Sequence, residues 1–318
     1  MENIKPFLDN LELVLTSPRK RAPGTLASYL CTARTFLTWL DDGHISPTDK
    51  DLRRFFMERE RAGILTSSRS VHFVQIKKLF EANEWGWPFK KEDRPISEDT
   101  PTAPALTEEE VMDLILSRGD FSKMENFYLA LSVTFGLRAE EMRRVTARDI
   151  KDNTIFIRTA KHGQQKIQLI PEEIRPIIDD YRPKQPSARA MGYAFHRMAD
   201  KAGLELRPRC NFHSIRRTLL TLLVYNLAEH RKDITYAAQY LRWSKKTMGV
   251  GLMGAAMAGV YMHPEARTND PYEVDRTCQR PDIHPFLAAY REEVKKDGED
   301  EEGGGESSTK GKAEDLQS

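Results

Sequence analysis

The chain has 318 residues, 39% of them hydrophobic and 31% charged, so it can bury a core beneath a very polar surface and is long enough for about two domains. No stretch approaches the ~18 consecutive apolar residues of a membrane span, and "MENIKPFLDN" lacks an apolar segment behind a basic start, so neither a transmembrane helix nor a secretory signal is expected. The formal net charge of +1 hides an asymmetry, because residues 292–318 hold ten acids and four bases and leave 45 bases against 38 acids, or +7, in the first 291 residues. A basic body with an acidic tail fits a polyanionic partner, although an ordinary solvated surface would have the same composition.

In chain order, the first ~95 residues read as a helical bundle. Leu26, Tyr29, Leu30, Ala33, Phe36, Leu37 and Leu40 advance in steps of three and four and make one apolar stripe. "HISPTDKDLRRFFMERERAG" predicts a turn and a second helix capped by Thr48, and "SSRSVHFVQIKKLFEANEW" a third with Val74, Ile76 and Phe80 facing inward. "KKEDRPISEDTPTAPAL" (residues 90–106), with three prolines and few large apolar groups, has the composition of a linker. Thr107 and Glu110 then form a capping box that opens a new helix. "MENFYLALSVTFG" predicts a buried helix stopped at Gly136, followed at once by the short helix "AEEMRRVTARD". "NTIFIRTA" and "QKIQLI" predict a hairpin turning at Gly163, and Pro171 a helix start. Helices are expected over about 187–202, 213–229 and 233–242, and a last one over "HPFLAAYREEVKK". Beyond Asp297 the chain is too poor in apolar residues to fold.

Cys31, Cys210 and Cys278 are odd in number and far apart, which argues against a zinc site or a disulfide framework and for a reducing compartment. No nucleotide-binding or metal-ligand motif is present, so no cofactor and no metal are expected. What remains is an ordered set of polar signals: Arg138 in "TFGLRAEEM", Lys161 in "TAKHGQQKIQLIP", His213 and Arg216 in "FHSIRRT", Trp243 in "LRWS" and Tyr261 in "VYMHP". Taken singly, each has an ordinary explanation: a surface ion pair of Arg138 with Glu140 or Glu141, a solvated turn lysine, a capping histidine, a core tryptophan, a buried tyrosine. Together they suit attack on a phosphodiester. Two guanidiniums offer planar pairs of N–H donors to phosphate oxygens, and His213 shares a helix face with Arg216 three residues on.

Residues 105–265 resemble, block by block and in order, the catalytic domain of the tyrosine recombinases, the family of phage integrases and Xer-type recombinases. "ALTEEEVMDLI" resembles the domain opening, and "TFGLRAEEMRRVTARDI" the block of the first arginine. "TIFIRTAKHGQQKIQLIP" resembles the lysine hairpin, "FHSIRRTLLTLL" the His-x-x-Arg block, and "YLRWSKKT" through "VYMHP" the block ending at the nucleophile. The resemblance implies a mainly α fold with a small β-hairpin, arranged as a two-domain DNA clamp. A helical core-binding domain (residues 1–93) would be joined by a linker (94–106) to a catalytic domain (107–296) with a disordered acidic tail (297–318).

It implies a site-specific recombinase or integrase in which Tyr261 attacks DNA to form a 3′-phosphotyrosine. Arg138, Arg216, His213 and Trp243 would hold the phosphate, and Lys161 would protonate the leaving oxygen, with Lys166 as its alternative because the turn is long. Glu141, one helical turn beyond Arg138, is read as that arginine's support. Trp243 and Tyr261 lie 18 residues apart, longer than the family's usual spacing; Tyr240 and Tyr272 are the nearest other tyrosines and fit the pattern less well. The implied partners are double-stranded DNA and three further copies of the chain on two duplexes, with no membrane. Accessory DNA-bending proteins are a further compatible class. The implied location is the cytoplasm with the DNA, or the nucleus in a eukaryotic host. Arg19, Lys20, Arg21, Lys77 and Lys78 are candidate phosphate contacts, and the helix at 284–294 a candidate to dock on a neighbouring protomer. A type IB topoisomerase, a telomere resolvase and a catalytically decayed DNA-binding relative would share these residues.

Overall fold

The computed structural model describes residues 4–18, 21–40, 47–96, 104–159, 165–243 and 270–291. The chain divides into two compact units, Met1–Thr102 and Ala103–Ser318.

The first unit is a bundle of α1 (Lys5–Thr16), α2 (Pro23–Leu40), α3 (Asp49–Arg61) and α4 (Thr66–Ala82). The sequence reading did not single out α1, whose Leu11 and Leu15 belong to the core. Thr48 caps α3, as its sequence predicts: its hydroxyl accepts the Asp51 N–H while the Asp51 carboxylate accepts the Thr48 N–H at 2.8 Å. Phe36, Phe55 and Phe80 pack with Trp39, Trp85 and Trp87 in tilted and edge-to-face pairs 5–6 Å apart. Such rings contribute roughly 2 kcal/mol each through burial. Ile76 and Phe80 face inward as expected, but Val74 does not. The buried face of α4 runs through Phe73, Ile76, Leu79 and Phe80, a three-and-four spacing that leaves Val74 on the exposed side. A polar seam crosses the α2–α4 contact, where Gln75 accepts from Thr32 and donates to Ser28, both at 2.7 Å.

The second unit is built around α6 (Lys123–Phe135), in which every residue from Phe127 to Phe135 is buried, as a helix apolar on all sides must be. Around it lie α5 (Glu108–Leu116), opened by the Thr107–Glu110 capping box, α7 (Ala139–Arg144), α8 (Arg175–Asp179), α9 (Ala188–Lys201), α10 (Phe212–Glu229), α11 (Thr235–Tyr240) and α12 (Glu273–Cys278). The small antiparallel sheet has three strands in the order β1 (Ile150–Lys151), β2 (Thr154–Ile157), β3 (Lys166–Leu169), with Ile155 opposite Gln168. The expected hairpin is β2–β3; the two-residue β1 is too short to give an alternating pattern.

Two expectations are corrected, and one element carried no sequence signal. Pro171 caps a 3-10 turn, Glu172–Ile174, ahead of α8 instead of standing at the first position of an α-helix. Helix α12 carries no pattern that the sequence reading caught. Residues 284–291 are turns ending in a short 3-10 helix, Ala288–Arg291, and do not present a free helical face. His284, Phe286, Leu287, Ala289 and Tyr290 are buried in their own unit, and Arg118 donates to the carbonyls of Ala289 and Tyr290. The described part of the segment is therefore occupied within its own chain. Among the described residues no helix is long and apolar enough to cross a membrane.

Candidate active site

Three chain reversals meet beside α6. Gly136 ends that helix in the left-handed region, at φ 56°, and Leu137 leads into α7 with Arg138 at its N-cap. A Cβ on Gly136 would lie 2.5 Å from Leu241 Cδ2 and 3.2 Å from Leu219 Cδ2, so glycine is required for both conformation and space. The N-terminal part of α10 brings Arg216, only 3% exposed, against the same corner. Leu241 caps the C-terminus of α11, and Arg242 follows at φ 59° with its side chain fully buried.

The ends of α6 and α11 expose carbonyls that no helical N–H can reach. Arg216 donates to Leu241 O at 2.6 Å and to Gly136 O. Arg242 donates to Phe135 O and Tyr240 O, both at 3.1 Å, and to the side-chain oxygen of Gln168 on β3. Two guanidiniums thus sit on the negative ends of two helices, where carbonyl partners and the helix dipole offset part of their desolvation. Glu141, fully buried, completes the cluster. One of its oxygens accepts from the Arg138 guanidinium at 2.8 Å; the other accepts the Arg138 backbone N–H at 3.0 Å and lies 3.5 Å from Arg242.

Burial is the largest influence on the Glu141 carboxyl and opposes its ionisation, but Arg242, the Arg138 N–H, Arg216 and Arg138 outweigh it and hold it below the usual carboxylate range. For Arg216 the influences run the other way. Burial first, then Arg242 and Arg138, pull its proton affinity down, and Glu141 only partly compensates. A guanidinium stays charged nonetheless. Among the described residues of the cluster, three cations share one carboxylate, and this excess positive charge makes the corner receptive to an anion. Arg138, whose side chain is 26% exposed, is the cluster member open to solvent.

The other sequence-derived candidates fall as follows. His213, exposed in the first turn of α10, donates its backbone N–H to the capping Asn211 side chain at 2.7 Å. Trp243 is half-buried against the core of its unit, and its backbone N–H bonds Ala238 O at 2.9 Å. Lys161 and Tyr261 lie outside the described residues, as do Arg19, Lys20 and residues 244–269. Lys166, the alternative lysine, is held by the buried Asp275 of α12 at 2.7 Å. Asp275 also accepts from Gln168 at 3.2 Å and from the Leu169 N–H at 3.3 Å, which latches α12 to β3. Tyr240 is fully buried and donates to Thr134 O at 2.9 Å; burial, then Asp275, push its phenol well above the ordinary value. In the first unit Arg21 and Lys77 are exposed, whereas Lys78 pairs with Glu81 at 2.8 Å.

The sequence reading missed Arg242, Gln168 and Asp275. For Arg242 a signal existed, since a lone charge in the otherwise uncharged run "TYAAQYLRW" calls for a buried partner. For Gln168 and Asp275 there was none. Among the described residues no cluster of three or more His, Cys, Asp or Glu could hold a metal ion.

No protein-family profile matches the chain. Among curated proteins it is similar to tyrosine recombinase XerA of Saccharolobus solfataricus, 22% identical over 223 residues that cover 63% of this chain and 72% of the relative. Among solved structures it is similar to a lambda integrase dimer bound to a COC′ core site, with a TM-score of 0.61 at 17% identity over 77% of this chain and 96% of the other. The lambda integrase tetramer bound to a Holliday junction gives 0.59 at 18% identity over 77% and 79%. XerH recombinase in a post-cleavage complex on its palindromic difH substrate gives 0.54 at 14% identity over 76% and 81%. The mainly helical fold with a small antiparallel sheet is therefore the one these enzymes share.

Proposed function

We propose that this chain, whose fold is that of the tyrosine recombinases and integrases, is a site-specific recombinase that cuts and rejoins DNA strands. Tyr261 attacks a backbone phosphorus and gives its phenol proton to His213, the P–O bond to the 5′ oxygen breaks, and the strand remains attached as a 3′-phosphotyrosine. Lys161 gives the departing oxygen its proton, because an alkoxide leaves poorly. Arg138 and Arg216 stabilise the charge gathering on the non-bridging oxygens, with His213 and Trp243 as further donors. A 5′-hydroxyl from a partner duplex then attacks the phosphotyrosine and releases Tyr261. The linkage conserves the energy of the phosphodiester, so the cycle draws on no nucleotide. The helical residues up to about 93 serve as a core-binding domain, residues 94–106 as the linker and residues 107–296 as the catalytic domain. Four copies act on two duplexes.

The observation that carries this reading is the convergence of Arg138 and Arg216, 78 residues apart in sequence, on one corner with three cations to one carboxylate, in a fold shared with integrases. The test is cleavage of a nicked duplex whose short 5′ fragment diffuses away and traps the covalent complex. Wild type should accumulate the adduct. Arg138→Ala and Arg216→Ala should each lower the rate by about two orders of magnitude, the scale of losing one preorganised donor to a transition state. Tyr261→Phe should give no adduct while still binding the duplex. An adduct that persists in Tyr261→Phe refutes the nucleophile. Relaxation of plasmid with no preference for a site, and no joining of two duplexes, would make the chain a topoisomerase instead.

A further inference from the structure

The cluster contains a third guanidinium with no role in that scheme. Arg242 is 1% exposed, and its backbone stands at φ 59°, a region that non-glycine residues enter at a cost. Its side chain spans four groups from four elements of the fold. These are Phe135 O at the end of α6, Tyr240 O at the end of α11, the side-chain oxygen of Gln168 on β3, and Glu141 Oε2, 3.5 Å away. A buried charge on a strained backbone persists only where its surroundings over-determine it, and such positions cluster at functional sites.

Arg242 is not among the phosphate-binding residues of that scheme, and its guanidinium is turned to the protein interior. What it touches is the carboxylate that sets the pose of Arg138. Glu141 holds Arg138 at two points, by its side chain at 2.8 Å and by its backbone N–H at 3.0 Å. Without Arg242, that carboxylate loses the largest of the charges that offset its burial, and its hold on Arg138 is free to draw that guanidinium inward. With Arg242 in place, one oxygen is turned to the interior cation and the other is left to orient Arg138 towards solvent.

We infer that Arg242 is a positioning residue for strand cleavage, acting through Glu141 to aim the Arg138 guanidinium at the scissile phosphate. The inference rests on the strand-transfer reading above. Its link to β3 through Gln168 further couples this aim to the hairpin, so Arg242 ties both halves of the site to one buried anchor.

The test is a double-mutant cycle of single-turnover cleavage on the nicked duplex, at saturating DNA, with DNA affinity and melting temperature measured for every variant. Arg242→Met should slow cleavage about tenfold or more while changing DNA affinity by less than about threefold, because the residue orients a catalytic group and touches no substrate. Arg242→Lys should not restore the rate, since a point charge cannot span the four partners. In an Arg138→Ala background, adding Arg242→Met should cost less than about threefold further, because residues acting as one unit are non-additive. Full multiplication of the two losses would mean that Arg242 acts independently of Arg138, and would overturn the inference. So would wild-type cleavage by Arg242→Met, or failure of both replacements to fold, which would make the side chain a requirement of the fold alone. Wild-type protein that binds DNA and never cleaves would instead sink the strand-transfer reading, and this inference with it.

Discussion

Gly136→Ala is a sharp probe of how the corner is built. Two costs are separable there. The residue stands at φ 56°, where an added Cβ costs roughly 1–2 kcal/mol. The same Cβ would lie 2.5 Å from Leu241 Cδ2 and 3.2 Å from Leu219 Cδ2, both side chains fully buried, and would come within 3.6 Å of Arg216 Cγ. Overpacking of that kind costs about 1–3 kcal/mol. The reduced entropy of the unfolded alanine chain returns about 0.4–1 kcal/mol, leaving a net loss of roughly 1–5 kcal/mol. Gly203 supplies the control within the same unit, because it has φ 68° and nothing within 4 Å of an added Cβ. Gly203→Ala should therefore lose only the conformational part, about 1 kcal/mol or less. The assay is urea unfolding of the full chain, followed by near-UV dichroism and intrinsic fluorescence. Gly136→Ala should be the more destabilised of the two by about 1–3 kcal/mol. It should also cleave DNA more slowly than its stability alone explains, since Leu241, which must yield, carries the carbonyl that Arg216 holds. Equal losses for the two variants would refute the close-packing argument.

Two further outcomes follow from the core of the second unit. His284 is 1% exposed, with Nε2 3.1 Å from Thr134 O and Nδ1 3.3 Å from the Phe286 N–H, roles that only the neutral ring can fill together. Burial pulls its pKa down to about 4, against the partial opposition of Thr134 O. The unfolded chain takes up this proton below pH ~6.5 and the folded chain does not until about 4, so stability should fall across that window by about 3 kcal/mol. His284→Gln should flatten that part of the pH profile of urea stability, and a profile parallel to wild type would contradict the assignment. Asp275→Asn should cost about 2–3 kcal/mol by unfolding, because it leaves Lys166 without its carboxylate and turns an amide towards three donors. A loss below about 0.5 kcal/mol would show that the α12–β3 latch contributes little.

What the sequence made legible was mostly local. The Thr48–Asp51 and Thr107–Glu110 caps each span three residues, and Gly136 combines a helix stop with a bulky apolar neighbourhood, so pattern and structure coincide there. Arg138 and Arg216 were found because their residue types suit a phosphate and stand in a known order of blocks. Arg242 and Asp275 escaped because their partners are distant in the chain: Gln168 lies 74 residues before Arg242 and 107 before Asp275. A one-dimensional pattern cannot say whether a charge in an apolar run is buried against a helix end or projects to solvent. Val74 was misplaced because "VHFVQI" offers apolar residues on two faces, and only packing chooses between them. Residues 284–291 have helical composition, yet burial of Phe286, Leu287 and Tyr290 and the hold of Arg118 on two of their carbonyls favour a tighter turn.

The central claim concerns one covalent bond. The adduct trapped on the nicked duplex can be digested with nuclease and protease and its nucleotide-bearing peptide sequenced by mass spectrometry. The account predicts a single modified peptide, with the nucleotide on the Tyr261 phenol through the 3′ phosphate. A nucleotide attached to another residue, to a 5′ phosphate, or to no peptide at all under conditions where the chain binds the duplex, would contradict it.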